Sequence, residues 1–185
     1  MDTEIGRLLD SMDEATRENT IIIFIGDNGT PGQVAQSPFS RAKAKGSLYQ
    51  GGINVPMIVS TPASSRTGER ETALVNTTDL FSTIASFAGV NISQSDDSNS
   101  FADLLDGERE DVRSFQYSET MSDNEYEWTV SDGEYKLIES SNGGLELYEL
   151  SADPFENDDL LARGSEPEGK VEELQELVTD IQPQD

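Results

Sequence analysis

From Thr20 to Gly29 the chain reads T-I-I-I-F-I-G-D-N-G, an unbroken apolar run that stops at two oxygen-bearing side chains and a glycine. A run with no polar face is expected to form a strand covered on both sides, as in a parallel sheet layered between helices. In such sheets ligands bind beyond the carboxyl ends of the strands, where Asp27 and Asn28 fall. Adjacent Asp and Asn offer hard oxygen donors, suited to Ca²⁺ or, second, Mg²⁺ rather than to a soft metal. The competing reading of D-N-G is a tight turn, because Asn-Gly is a strong hairpin signal. Residues 30–36 show no alternation that would pair back on the isoleucine run, so a plain loop becomes the alternative.

Elsewhere the pattern is coarser. Residues 2–14 are expected to be helical, with Ile5, Leu8, Leu9 and Met12 on one face. Ile53 to Ser60 reads as a second apolar strand. Thr78-Asp79 opens a helix whose Leu80, Ile84, Phe87 and Ala88 are expected to face inward, with Gly89 as its stop. Asp79 is read as a first-turn carboxylate favoured by the helix dipole rather than as a site residue. A polar linker, Asn91 to Ser100, precedes a smaller unit. There Asp132-Gly133 marks a hairpin between Glu127–Ser131 and Glu134–Glu139. Leu145 to Leu150 reads as another strand, and Glu168 to Ile181 as a terminal helix with Val171, Leu174, Val178 and Ile181 on one face. Trp128, the sole tryptophan, is read as a packing anchor.

The stretch K-G-S-L-Y-Q-G-G-I-N-V-P, from Lys45, brings the argument to a family. With I-F-I-G-D-N-G upstream, T-D-L-F-S-T-I-A-S-F-A-G-V at Thr78–Val90, and Y-K-L-I followed by E-L-Y-E-L-S-A-D-P-F-E-N-D-D-L, the chain resembles the C-terminal part of an arylsulfatase-type sulfatase of the alkaline phosphatase superfamily. The blocks occur in the family's order and span nearly the whole chain. The resemblance implies an α/β fold. Residues 1–100 would be the back part of a parallel-sheet catalytic domain, and residues 101–185 a small antiparallel sheet with a terminal helix.

It also implies roles. Asp27 and Asn28 would ligate a divalent cation, usually calcium, and Lys45 would contact the sulfate of a sulfate ester, with sulfated glycans among the candidate substrates. The chemistry is sensible by itself, since a fixed cation and an ammonium stabilise the charge that builds on sulfate oxygens. The alternative for Lys45 is a solvated surface lysine. Lys43 lies two residues away, and the register against G-S-L-Y-Q-G-G selects Lys45.

The departures from the family pattern matter equally. Sulfatases use a formylglycine made from Cys or Ser in a C/S-x-P-S-R type motif well before D-N-G. This chain has no cysteine and no histidine. Ser37-Pro38-Phe39-Ser40-Arg41 places phenylalanine at the wrong position on the wrong side of D-N-G, and is read as a loop. The nucleophile and remaining ligands are therefore expected from an N-terminal half outside these residues, and the chain alone is expected to be inactive. Two other functions stand beside this one. A phosphodiesterase or phosphatase of the same superfamily would show D-H-G and zinc-binding histidines, which Asn28 and the lack of histidine count against. A non-catalytic acidic module binding calcium or protein is the other.

A net charge of −25 over 185 residues, with 12 Lys and Arg against 37 Asp and Glu, argues against nucleic acid and anionic membrane surfaces as partners. No apolar run reaches spanning length and no signal peptide opens at Met1, although the resembled family is often exported. The compartment stays open.

Overall fold

The computed structural model describes residues 1–62, 64, 66–92, 97–108, 110–122, 125–179 and 181. Part of the expected Asn91–Ser100 linker lies outside them.

The N-terminal helical pattern divides in two, α1 at Asp2–Asp10 and α2 at Glu14–Arg17. The break comes at Asp13, whose carboxylate accepts from the Thr16 N–H and restarts the helix as an N-cap. Next come β1 (Ile22–Ile25), α3 (Gln50–Ile53) and β2 (Met57–Ser60). β1 pairs with β2 antiparallel, in the register Ile23↔Val59 and Phe24↔Ile58. No parallel pair forms among the described residues, and every residue of β1 is half-buried rather than covered on both faces. The apolar run that suggested a parallel sheet here serves two unlike faces. On one, Ile22, Phe24 and Ile58 border an open groove of about 890 Å³ against Ile5 and Leu9 of α1. On the opposite face of β2, Met57 and Val59 pack on Phe101, Leu104 and Val112.

α4 spans Asp79–Phe87 and ends as expected, with Gly89 at φ +68° and the Val90 N–H donating back to Ala85 O. Its inward face differs from the expectation. Asp79 and Thr83 are fully buried, whereas Ile84 and Phe81 are more than half exposed and Ala88 is exposed. The physical reason is polar. Asp79 accepts from the Asn76 and Asn99 N–H groups at 2.7 and 2.8 Å and is forked by the Arg113 guanidinium. Thr83 Oγ1 accepts from the Phe101 N–H at 3.0 Å. Asp79 thus ties α4 to the segment that follows it, more than a dipole contact requires.

The second half of the chain is a four-stranded antiparallel meander: β3 (Gln116–Ser122), β4 (Glu125–Ser131), β5 (Tyr135–Ser140) and β6 (Leu145–Glu149). The Asp132-Gly133 turn forms where expected, with Gly133 at φ +95°. α5 (Leu160–Arg163) and α6 (Lys170–Glu176) follow, and α6 is shorter than the sequence pattern suggests. Strand alternation assigns each residue to a face. Trp128, Val130, Leu137 and Leu147 face Leu174 and Val178 of the α6 region and form the main core, with Trp128 stacked on Tyr117. Lys136, Ile138, Glu146 and Tyr148 take the other face, paired across the strands as Lys136↔Tyr148 and Ile138↔Glu146. That face is covered by Leu48 and Tyr49. The small sheet is therefore the layer between a helix and the glycine-rich segment of the first half.

Leu137 is fully buried at the centre of the main core. Leu137→Ala is expected to lower unfolding free energy by about 2–5 kcal/mol, measured by urea denaturation followed at Trp128.

Candidate functional site

β1 delivers Asp27 and Asn28 to its carboxyl end. The Gly26 N–H donates to Pro56 O at 3.0 Å, so pairing with the neighbouring chain continues to the last residue before them. Just beyond, the Gly29 N–H donates to Gly52 O at 2.9 Å and the Lys45 N–H to Thr30 O at 3.0 Å. These two bonds stitch the D-N-G corner to the K-G-S-L-Y-Q-G-G segment. The approach is so close that side chains are excluded. A Cβ on Gly29 would lie 2.0 Å from Gly51 O, and one on Gly52 2.1 Å from Ser47 O. Residues expected to begin a strand at Ile53 instead close the helical turn α3, and the strand starts at Met57.

Asp27 is exposed and Asn28 half-buried. Asn28 borders a cavity of about 160 Å³ that Gln36, Gln50 and Asn54 also line. Lys45 is exposed, does not line that cavity, and has no ion pair among the described residues. Asp27 and Asn28 suit a hard divalent cation as two of its oxygen ligands. Among the described residues no group of three His, Cys, Asp or Glu converges, so they fill only part of a Ca²⁺ shell of about six to eight oxygens.

Lys43 is a different kind of lysine. Its Nζ donates to Tyr148 Oη at 3.0 Å and to Glu156 O, and lies 4.3 Å from the Tyr49 ring centroid and 4.7 Å from that of Tyr148. The ammonium is spent on internal contacts, which leaves Lys45 as the free cation of the pair. Register alone separated these two lysines in the sequence; here their surroundings do.

The residues that sequence reasoning missed lie behind this segment. Lys136 and Glu156 are each 1% exposed and form an ion pair with Nζ and Oε1 2.6 Å apart. Lys136 Nζ also donates to Leu48 O at 2.6 Å, and the Gln50 N–H donates to Glu156 Oε2 at 2.5 Å. Burial pushes the Lys136 ammonium below its ordinary value, and the adjacent carboxylate opposes that shift. Glu156 adopts φ +55°, a left-handed conformation that costs a non-glycine residue about 1–2 kcal/mol and persists where contacts over-determine it. Tyr49 Oη donates to Glu146 Oε2 at 2.7 Å, and Tyr148 Oη donates to the same oxygen. No spacing signal links positions 136 and 156. The only hint is a lysine set inside the apolar strand Y-K-L-I.

Comparisons with known proteins find several likenesses to sulfatases. Residues 1–90 match the sulfatase family model. Arylsulfatase G of Rattus norvegicus is 30% identical over 105 residues, covering 50% of this chain and 20% of that protein. An ulvan-active sulfatase of Formosa agariphila is 23% identical over 193 residues, covering 85% of this chain and 36% of the relative. A protein solved in complex with its substrate D-glucosamine-2-N,6-O-disulfate superposes with a TM-score of 0.82 at 24% identity, over 98% of this chain and 38% of that one. The alkaline-phosphatase-like fold expected from the sequence is thereby borne out. The chain spans between a fifth and two-fifths of these proteins' lengths.

Burial pushes the Tyr49 and Tyr148 phenols well above their ordinary value of 10, and the hydrogen bonds to Glu146 add to it. The folded state thus holds these protons more tightly than the unfolded chain. Their stabilisation is complete below pH 10 and is lost as pH rises above it. Tyrosinate absorbance is expected to appear together with loss of circular dichroism above that pH, and Tyr148→Phe to soften the alkaline loss of stability.

Proposed function

We propose, from the premise that this chain carries part of a sulfatase-family domain, that it contributes the back wall of a sulfate-ester hydrolase site. The observation that carries this reading is the pair of backbone bonds joining the D-N-G corner to the Lys45 segment, with Lys43 withdrawn into internal contacts. Asp27 and Asn28 are the candidate metal ligands and Lys45 the candidate sulfate contact. A Ca²⁺ bound there would supply positive charge beside the sulfate oxygens.

The remaining roles belong to this chain's own groups. The exposed Lys45 ammonium stands as a point charge for a sulfate oxygen and stabilises it more as negative charge develops. Asn28, half-buried against its cavity, offers a neutral amide oxygen, while Asp27 offers a carboxylate. The attacking group has no counterpart in these 185 residues, which contain no cysteine and no C/S-x-P-S-R motif. Hydrolysis is therefore proposed for a polypeptide or complex in which residues outside this chain supply a formylglycine. The absence of histidine counts against the zinc phosphatase alternative. Sulfated glycans are the proposed substrate class, supported by the doubly sulfated glucosamine bound in the superposed protein and by the ulvan-active relative.

In the polypeptide that carries a formylglycine, Lys45→Ala and Asp27→Ala are each expected to lower kcat/KM for a sulfate ester by about 10²–10³-fold. Chelation of divalent cations is expected to mimic Asp27→Ala, to leave that variant little further affected, and to lower Lys45→Ala further. Unchanged kcat/KM in both variants would contradict the assignment.

A further inference from the structure

We propose that Lys136 and Glu156 are positioning residues for this site, fixing through residues 43–52 where the Lys45 ammonium stands relative to Asp27 and Asn28. The catalytic consequence rests on the sulfate-ester reading above, whereas the mechanical part does not.

Lys45 lies at the exposed tip of a short strap anchored at both ends. On its N-terminal side, Lys43 is held by Glu156 O and by Tyr148 Oη at 3.0 Å. On its C-terminal side, Leu48 O accepts from Lys136 Nζ at 2.6 Å and the Gln50 N–H donates to Glu156 Oε2 at 2.5 Å. Between the anchors run only Ala44, Lys45, Gly46 and Ser47, with Gly46 at φ +89° and the Ser47 N–H turned back to Ala44 O at 3.1 Å. Two anchors this close leave the tip little freedom, and Glu156 takes part in both, through its backbone carbonyl at Lys43 and its carboxylate at Gln50, while Lys136 holds Leu48.

The charge of the pair is directed at the strap. A buried Lys–Glu pair gains little over a well-packed apolar pair unless its remaining donors and acceptors are used. Here both are used on backbone groups, the carbonyl of buried Leu48 and the N–H of half-buried Gln50. Lys136 and Glu156 are too deeply buried to meet a substrate. Their effect on Lys45 passes through the strap, and from the strap to D-N-G through the Lys45 N–H to Thr30 O and Gly29 N–H to Gly52 O bonds. A misplacement of about 1 Å in such a contact costs on the order of 10²-fold in rate.

The test compares wild type with K136M/E156Q, which removes both charges together and keeps an oxygen for the Gln50 N–H. Amide hydrogen exchange on the full 185-residue chain is expected to quicken about tenfold or more at Lys45, Gly29 and Gln50, with β4 and β5 amides unchanged. In the active polypeptide, kcat for an aryl sulfate is expected to fall about tenfold while KM moves less than about threefold. Unchanged exchange at Lys45 and Gly29, or equal acceleration at every amide, would overturn the proposal. If the double variant fails to fold, Lys43→Met keeps the ion pair, removes one anchor, and is expected to show the same local pattern; its absence would also overturn the proposal. A wild-type polypeptide that carries a formylglycine and yet lacks sulfate-ester activity would instead sink the functional reading and leave the exchange result intact.

Discussion

The ion pair between Lys136 and Glu156 is the contact on which the two halves of this chain depend. Each residue has almost no solvent exposure, and each completes its hydrogen bonding on backbone from the other half. A lysine inside a strand covered on both faces is otherwise a liability, because desolvation disfavours its charge. The carboxylate that neutralises it comes from the turn after β6, at a backbone angle that an L residue rarely adopts. Tyr49, Tyr148, Glu146 and Lys43 surround the pair with phenol–carboxylate and cation–ring contacts, beside the apolar cluster of Leu48, Ile138 and Tyr148. Directional hydrogen bonds of this kind favour one docking geometry.

That geometry explains why the candidate site has the form it does. The glycines at 29, 51 and 52 let three stretches of backbone meet at distances that exclude any Cβ. Backbone hydrogen bonds then carry the position of the strap to the D-N-G corner. The outward-facing groups, Asp27 and Lys45, remain exposed because the inward-facing contacts are made by their neighbours. The candidate groups sit on the exposed side of a backbone seam, and the seam is held from behind by the small sheet.

Much of this fold was legible in the sequence, and the failures have physical causes. The Asp132-Gly133 hairpin and the strands around it were readable because turn chemistry and alternation coincide there. The terminal D-N-G strand was readable from its apolar run, but its pairing was not. An apolar run looks the same whether its two faces are covered by helices or whether one borders an open groove. α4 was misread in its facing because Asp79 and Thr83, polar residues, turn inward to meet Arg113 and the Phe101 N–H. Hydrophobic periodicity cannot register a helix that docks by hydrogen bonds. Lys45 was singled out through its glycine-rich context, and the structure leaves it exposed. Lys136 and Glu156 were not, because their partnership exists only after the small sheet has docked.

The most direct test of this account follows the two halves in one experiment. In a urea titration, Trp128 fluorescence reports the small sheet, and tryptic cleavage after Lys43 reports the strap. The account predicts a single midpoint for both, since Lys43 is released only when the sheet that holds it unfolds. Cleavage after Lys43 at urea concentrations where Trp128 remains native would contradict it.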